Sequence, residues 1–136
     1  MEYIEIEAGD RRLIEAAVDV IRKNYRKERH TVGAAVLCAS GKIYSGVNVD
    51  SCGYGPCAEP IAIGTAISNG EREFLTIVAV GAANKDYPVL SPCGNCRQFL
   101  LDYAPDAMVI LERDGRLVKA RVRDLLPAPY LNFDDD

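Results

Sequence analysis

Two short cysteine-containing segments place the strongest constraint on how this chain can fold. Residues 57–59 read Cys-Ala-Glu and residues 93–96 read Cys-Gly-Asn-Cys, and a proline precedes each segment. Proline is favoured at the first position of a helix, so each segment is expected to begin one. Cys93 and Cys96 then lie on one side of a first helical turn. If the three thiols act together, the fold must bring two helix N-termini face to face.

Three thiolates can hold a zinc ion and leave its fourth position open for water, as in catalytic zinc sites. The free N–H groups and the dipole at a helix N-terminus favour the thiolate form. Glu59 need not bind the metal, so its carboxylate can carry protons to and from that water. Cys57, Cys93 and Cys96 are therefore the predicted zinc ligands and Glu59 the predicted catalytic residue. Such a set predicts hydrolytic deamination.

Three other interpretations of these cysteines were weighed. A closed structural zinc site would need a fourth ligand, and the single histidine, His30, lies far away in the sequence. A redox Cys-x-x-Cys would leave residues 57–59 unexplained. Residues 53–58 also fit a dinucleotide-binding Gly-x-Gly-x-x-Ala pattern, but that match is weak on its own. Cys38 and Cys52 are expected to be small buried fillers.

Composition indicates a single globular domain over residues 1–136, with a frayed acidic tail over 133–136. Hydrophobic residues make up 49% of the chain, and the longest apolar runs are too short to span a membrane. The net charge of −4 argues against binding to long nucleic acids. The first residues do not resemble a signal peptide, and unpaired cysteines favour a reducing compartment. A cytoplasmic location is therefore expected.

Hydrophobic periodicity predicts the secondary structure. Helices are expected over residues 11–27, 57–69 and 93–103, with a short helical turn over 123–126. Strands are expected over residues 32–39, 42–49, 74–83, 108–112 and 117–121. Asp10 is the expected N-cap of the first helix. This order predicts an α/β fold: a three-layer α/β/α sandwich built on a five-stranded mixed sheet.

From Thr31 to Tyr130 the sequence resembles the cytidine deaminase family, including its blasticidin S deaminase branch. The matching segments are residues 32–35 (Val-Gly-Ala-Ala), 46–50 (Gly-Val-Asn-Val-Asp), 57–59, 91–98 (Ser-Pro-Cys-Gly-Asn-Cys-Arg-Gln) and 125–127 (Leu-Leu-Pro). The resemblance implies the same three zinc ligands and the same proton-carrying glutamate. It also implies a homotetramer with active sites near the subunit interfaces.

The resemblance further implies a set of substrate-binding residues. Asn48 and Asp50 match the element that grips the sugar hydroxyls, and Ala58 lies between a ligand and the catalytic glutamate. Tyr54 matches a tyrosine that reaches toward a neighbouring subunit's site, and Tyr130 matches an aromatic residue that helps to close the pocket. Ordinary packing is the alternative role for both tyrosines.

Several positions depart from the pattern of cytidine deaminases. Pro60 stands where an arginine usually supports the thiolates, so the helix-start amides and Arg97 are expected to compensate. His30 replaces a phenylalanine that packs on the pyrimidine ring, although an ordinary hydrogen-bonded histidine is the alternative. The short segment between Asn48 and Cys57 resembles the blasticidin S branch, whereas Asp50 fits a ribose-binding enzyme better.

Three functional hypotheses follow from the sequence. The first is a zinc-dependent hydrolase that converts the 4-amino group of a cytosine nucleoside, or a related aminopyrimidine, to the oxo form with release of ammonia. The second is the same reaction on blasticidin S, a cytosine nucleoside antibiotic. The third is a non-catalytic, zinc-stabilised protein that binds a nucleoside.

Overall fold

The computed structural model describes residues 1–131, so the tail expected over 133–136 lies outside the described residues. Its helices are α1 (Ala8–Asn24), α2 (Ala58–Ser68) and α3 (Gly94–Tyr103), with a 3-10 helix over Val122–Leu125. Its strands are β1 (Ile4–Glu5), β2 (Val32–Cys38), β3 (Ile43–Val47), β4 (Phe74–Gly81), β5 (Val89–Leu90), β6 (Met108–Arg113) and β7 (Arg116–Arg121).

The strands form one mixed sheet in the order β1-β7-β6-β4-β2-β3, and β5 pairs with one end of β4. Strands β4 and β6 run parallel, whereas the other pairs are antiparallel. The prediction of five strands was wrong, because the sheet formed by residues 1–131 has seven. The two additional strands, β1 and β5, have only two residues each. A segment of that length cannot show the alternating pattern by which strands are recognised.

The sheet separates two apolar cores, which confirms the three-layer arrangement. On one face α1 contributes Leu13, Ala17 and Ile21 to a cluster with residues of the central strands. On the other face α2 and α3 contribute Ala62, Ile63 and Leu100, among others. Helices α2 and α3 thus share one face, on which their N-termini can meet.

Within residues 1–131, every helix is too short or too polar to traverse a lipid bilayer.

The first helix begins earlier than its sequence pattern indicates. Glu7 rather than Asp10 is the N-cap of α1, so the predicted cap was wrong. The Asp10 carboxylate accepts a hydrogen bond from the Glu7 N–H at 2.7 Å and pairs with the Lys119 ammonium at 2.9 Å. Both side chains of that ion pair are about one-tenth exposed, at 12% for Lys119 and 9% for Asp10. Asp10 therefore fastens α1 to β7 and also bonds to the backbone at the start of the helix.

Gly33 lets α1 pack closely on β2, and its replacement should be costly. A Cβ atom at this position would lie 2.3 Å from the Ala17 carbonyl oxygen and 2.9 Å from the Ile21 Cβ. We expect Gly33→Ala to lower the free energy of unfolding by about 1–3 kcal/mol, because the helix must move away. Urea denaturation measures the change.

Gly64→Ala provides the matched control for that experiment. Gly64 lies inside α2, where an added Cβ would meet nothing within 4 Å. Alanine is favoured over glycine inside a helix by about 1 kcal/mol, so this variant should be more stable than the wild type. Equal stability changes in the two variants would contradict the close approach of α1 to β2.

Candidate active site

The site is built where the N-termini of α2 and α3 converge. Cys57 is the N-cap of α2, with φ −68° and ψ 170°, and Cys93 is the N-cap of α3, with φ −70° and ψ 171°. The predicted starts of both helices therefore agree with the structure to within one residue. The two extended caps bring the Cys57 and Cys93 sulfurs to 3.8 Å from each other.

The third thiol, Cys96, completes a compact group of sulfur atoms. The sulfurs of Cys57, Cys93 and Cys96 all lie within 4.8 Å of one another. Zinc–sulfur bonds of about 2.3 Å at tetrahedral angles would separate two ligand sulfurs by about 3.8 Å. The spacing and the soft donor set therefore fit one zinc ion. Cys96 is buried and Cys93 is exposed, so the cluster opens toward solvent on the Cys93 side.

Glu59 projects from the first turn of α2 into the same region. It is 6% exposed, and its Oε1 accepts a hydrogen bond from the Cys96 thiol at 3.6 Å. Burial raises the pKa of Glu59, and hydrogen bonds from its own backbone N–H and from Cys96 only partly offset this effect. A carboxyl whose pKa is shifted toward neutrality is suited to taking up and releasing protons.

The three thiols differ in acidity because they differ in surroundings. Burial raises the pKa of Cys57 and of Cys96, and the nearby Glu59 carboxylate raises the pKa of Cys96 further. Partial burial also raises the pKa of Cys93. This effect is outweighed by hydrogen bonds from the backbone N–H groups of Cys96 and Asn95 and from the neighbouring thiols, so the pKa of Cys93 is lowered overall. At least two of the thiols are therefore protonated at neutral pH without metal.

Zinc binding should consequently depend on pH. Thiolates are the ligands, so the protons of Cys57 and Cys96 must leave as the metal enters. Each released proton costs about tenfold in apparent affinity per unit decrease in pH. We expect zinc affinity to fall by at least about a hundredfold between pH 7.5 and 6.5, as measured by competition with a chelator of known pH dependence. Affinity that does not change with pH would contradict metal binding through these thiols.

A cavity of about 170 Å³ adjoins the thiols. Its lining residues are Val32, Asn48, Asp50, Gly55, Cys57, Ala58, Glu59, Ala79, Leu90, Ser91, Cys93 and Cys96. The structure thus brings together the predicted ligands, Glu59, and three of the predicted substrate-binding residues. The other two, Tyr54 and Tyr130, do not line the cavity and are 73% and 69% exposed.

The side chain of Asn48 is held in place by the strand beside it. Its Oδ1 accepts hydrogen bonds from the backbone N–H groups of Thr31 at 2.7 Å and Val32 at 2.9 Å. Its amide nitrogen lies 3.3 Å from the Thr31 hydroxyl and 3.5 Å from the Asp50 carboxylate. Asn48 therefore fixes the orientation of Asp50 at the exposed edge of the cavity.

His30 contacts the backbone of the cavity residue Asn48. Its Nδ1 lies 2.9 Å from the Asn48 carbonyl oxygen, which can only accept, so Nδ1 carries the proton. The half-buried ring is not among the groups that line the cavity. The hydrogen-bonded interpretation of His30 is the one that the structure supports.

Five cavity residues were not among the predicted site residues. Val32, Ala79 and Leu90 are ordinary apolar strand residues, and Gly55 and Ser91 lie in loops. Of the two remaining cysteines, Cys38 is buried as predicted, and burial raises its pKa to about 11. Cys52 is exposed, so its prediction as a buried filler was wrong.

Known proteins share both the sequence and the fold of this chain. A sequence model of the cytidine and deoxycytidylate deaminase zinc-binding region matches residues 8–112. A blasticidin-S deaminase of Bacillus cereus is 40% identical over 96% of this chain and 98% of its own length. A cytidine deaminase of Halalkalibacterium halodurans is 35% identical over 75% of this chain and 78% of its own length.

Two crystal structures of cytidine deaminases superpose on nearly the whole chain. The protein from Mycobacterium tuberculosis gives a TM-score of 0.76 at 28% identity, covering 93% of this chain and all of that one. The protein from Burkholderia pseudomallei gives 0.73 at 32% identity, covering 92% of this chain and all of that one. Together with the cluster of three thiols placed to bind a metal ion, these matches show that the chain belongs to the zinc-binding family of cytidine and deoxycytidylate deaminases.

Proposed function

We propose that the protein is a zinc-dependent aminohydrolase that replaces the 4-amino group of a cytosine nucleoside by an oxo group and releases ammonia. The arrangement that carries this proposal is a buried carboxylate, Glu59, beside three thiols whose spacing fits one zinc ion. The adjoining cavity gives the reacting part of a small molecule access to both groups. The family to which the chain belongs supports the same reaction.

Each residue of the cluster has a definite task in this proposal. Cys57, Cys93 and Cys96 hold the zinc, which supplies the Lewis acidity that makes water a nucleophile at neutral pH. Glu59 takes the two protons of the attacking water in turn and delivers one to the ring nitrogen and one to the departing amine. The water oxygen forms the new bond to the ring carbon, the carbon–nitrogen bond to the amino group breaks, and ammonia leaves.

Asn48, Asp50 and Ala58 form the substrate-binding part of the proposal. Asp50 presents its carboxylate at the edge of the cavity, where it can accept hydrogen bonds from hydroxyl groups of a sugar. Blasticidin S is the second candidate substrate, because a blasticidin-S deaminase resembles this chain over almost its whole length. Both candidates present a 4-amino group on a cytosine ring, so the same catalytic groups serve either one.

An ammonia-release screen tests the proposal and chooses between the substrates. The panel is cytidine, deoxycytidine, cytosine, blasticidin S and guanine, each incubated with zinc-loaded protein. We expect ammonia from at least one compound that carries a cytosine ring. No ammonia from any member would contradict the proposed activity and favour the non-catalytic, zinc-stabilised nucleoside-binding protein.

We also propose a homotetramer with the active sites near the subunit interfaces. Helix α2 is apolar around most of its circumference, and Ile61 and Ile67 remain partly exposed in the single chain. A helix of that kind is usually buried on all sides. The exposed Tyr54 and Tyr130 would then reach their proposed substrate-binding positions through assembly. Light scattering should give a mass four times that of one chain; a monomer would contradict this proposal.

The remaining proposals concern the domain and its location. Residues 1–136 are proposed to form one domain, because both apolar cores pack against the same sheet. A cytoplasmic location is proposed because all five cysteines are free thiols and three of them are needed reduced for zinc binding.

A further inference from the structure

We propose that Arg97 is a positioning residue for the metal centre, which holds the exposed ligand Cys93 in place by hydrogen bonds to the backbone. This inference rests on the proposed zinc ligands. Arg97 follows Cys96 directly and lies in the first turn of α3. Its side chain is half-buried beneath the segment that leads into Cys93.

The guanidinium of Arg97 contacts two separate parts of the chain. Its Nε donates to the Pro92 carbonyl oxygen at 2.9 Å, and one terminal nitrogen donates to the Ser91 hydroxyl at 2.9 Å. The other terminal nitrogen donates to the Leu125 carbonyl oxygen at 2.9 Å. A planar guanidinium offers donors in fixed directions, so these three bonds fix residues 91–92 and the segment containing Leu125 relative to α3.

The side-chain bonds act on the segment before Cys93, and a backbone bond of the helix acts after it. The Pro92 carbonyl belongs to the peptide bond that enters Cys93, and the backbone N–H of Arg97 donates to the Cys93 carbonyl oxygen at 2.9 Å. Cys96 is 1% exposed, so packing alone can hold its side chain. Cys93 is exposed and lacks such packing, so its sulfur depends on the surrounding hydrogen bonds for its position.

Orientation, rather than direct neutralisation of charge, is therefore the role assigned to Arg97. Among residues 1–131, the Arg97 side chain bonds to two carbonyl oxygens and a hydroxyl, and to no sulfur of the cluster. A lysine would keep the positive charge but would lose the fork of donors. Arg97→Lys therefore distinguishes the two roles. Zinc retention should be normal in this variant if the charge matters, and weaker if the orientation matters.

The test measures the rate at which zinc-loaded protein transfers its metal to a chromophoric chelator. We expect both Arg97→Gln and Arg97→Lys to release zinc about 10–100 times faster than the wild type. Arg72→Gln is the control, since Arg72 also donates to backbone carbonyls, those of Ile67 and Glu71, but at the far end of α2. The control should release zinc at the wild-type rate, and urea denaturation monitors the stability of all variants.

Two results would overturn the proposal. One is a wild-type release rate in Arg97→Lys, because charge alone would then suffice. The other is release from both Arg97 variants that is no faster than from Arg72→Gln. If the Arg97 variants fail to fold, Ser91→Ala removes a single bond and should still accelerate release; an unchanged rate would count against the proposal. The assay needs no substrate, so its outcome is separate from that of the deamination screen.

Discussion

Replacing Glu59 by glutamine should abolish ammonia release while zinc stays bound. Glutamine keeps the shape of the side chain but cannot take up or deliver the protons of the reaction. General acid–base catalysis contributes about 10²–10⁴-fold, and Glu59 is proposed to serve several proton transfers, so we expect a loss of kcat near the upper end. Metal analysis should still find about one zinc per chain, because the carboxylate is not one of the proposed ligands. Ammonia release under saturating substrate measures the effect.

Glu71→Gln is the matched control for that experiment. Glu71 lies beyond the far end of α2 and accepts hydrogen bonds from the Ser40 hydroxyl at 2.8 Å and the Tyr44 hydroxyl at 3.3 Å. It is remote from the thiols, so this variant should keep its activity. Glu59→Gln with more than a tenth of wild-type turnover would remove Glu59 from the proposed mechanism.

Replacing Cys96 by alanine should remove both the zinc and the activity. Two thiols would remain, and a catalytic zinc site generally needs three protein ligands. Cys96 is also the buried member of the cluster, so its loss opens the side of the site that packing keeps closed. Elemental analysis after dialysis against a weak chelator should find little zinc in Cys96→Ala and about one ion per chain in the wild type.

Cys38→Ala separates the loss of a ligand from the loss of a buried cysteine. Cys38 is 0% exposed and lies outside the thiol cluster. The small cavity left by its sulfur should cost about 1 kcal/mol of stability without affecting zinc content. Zinc that is retained in Cys96→Ala, or lost equally from both variants, would contradict the proposed ligand set.

The sequence predicted the site better than it predicted the sheet, and the reasons are local. Pro56 and Pro92 locate the two helix starts to within one residue, although each lies just before the N-cap and not at the first helical position. The three-residue spacing of Cys93 and Cys96 indicates their common side. Strands β1 and β5 were missed because two-residue strands have no periodicity. Leu90 lines the cavity from β5, so its contribution could not be predicted either.

Other discrepancies came from contacts between residues far apart in the chain. Asp10 looks like a cap, but its carboxylate pairs with Lys119, a partner 109 positions later that no local pattern reveals. The sequence allowed two interpretations of His30, and its hydrogen bond to the Asn48 backbone supports the ordinary hydrogen-bonded one. In both cases tertiary contacts, rather than local preference, decide the role of a polar side chain.

Because the sulfurs of Cys57 and Cys93 lie 3.8 Å apart, a zinc ion bound to both would act as a cross-link between them. The two residues are 36 positions apart, so a shared zinc closes a long loop of the chain. By the chain-entropy argument used for disulfides, a closed loop of this length is worth about 4 kcal/mol if the link persists in the unfolded chain. Chelation would therefore lower the stability of the fold by up to that amount. The ion proposed to activate water would thus also be a reversible cross-link between the N-termini of α2 and α3.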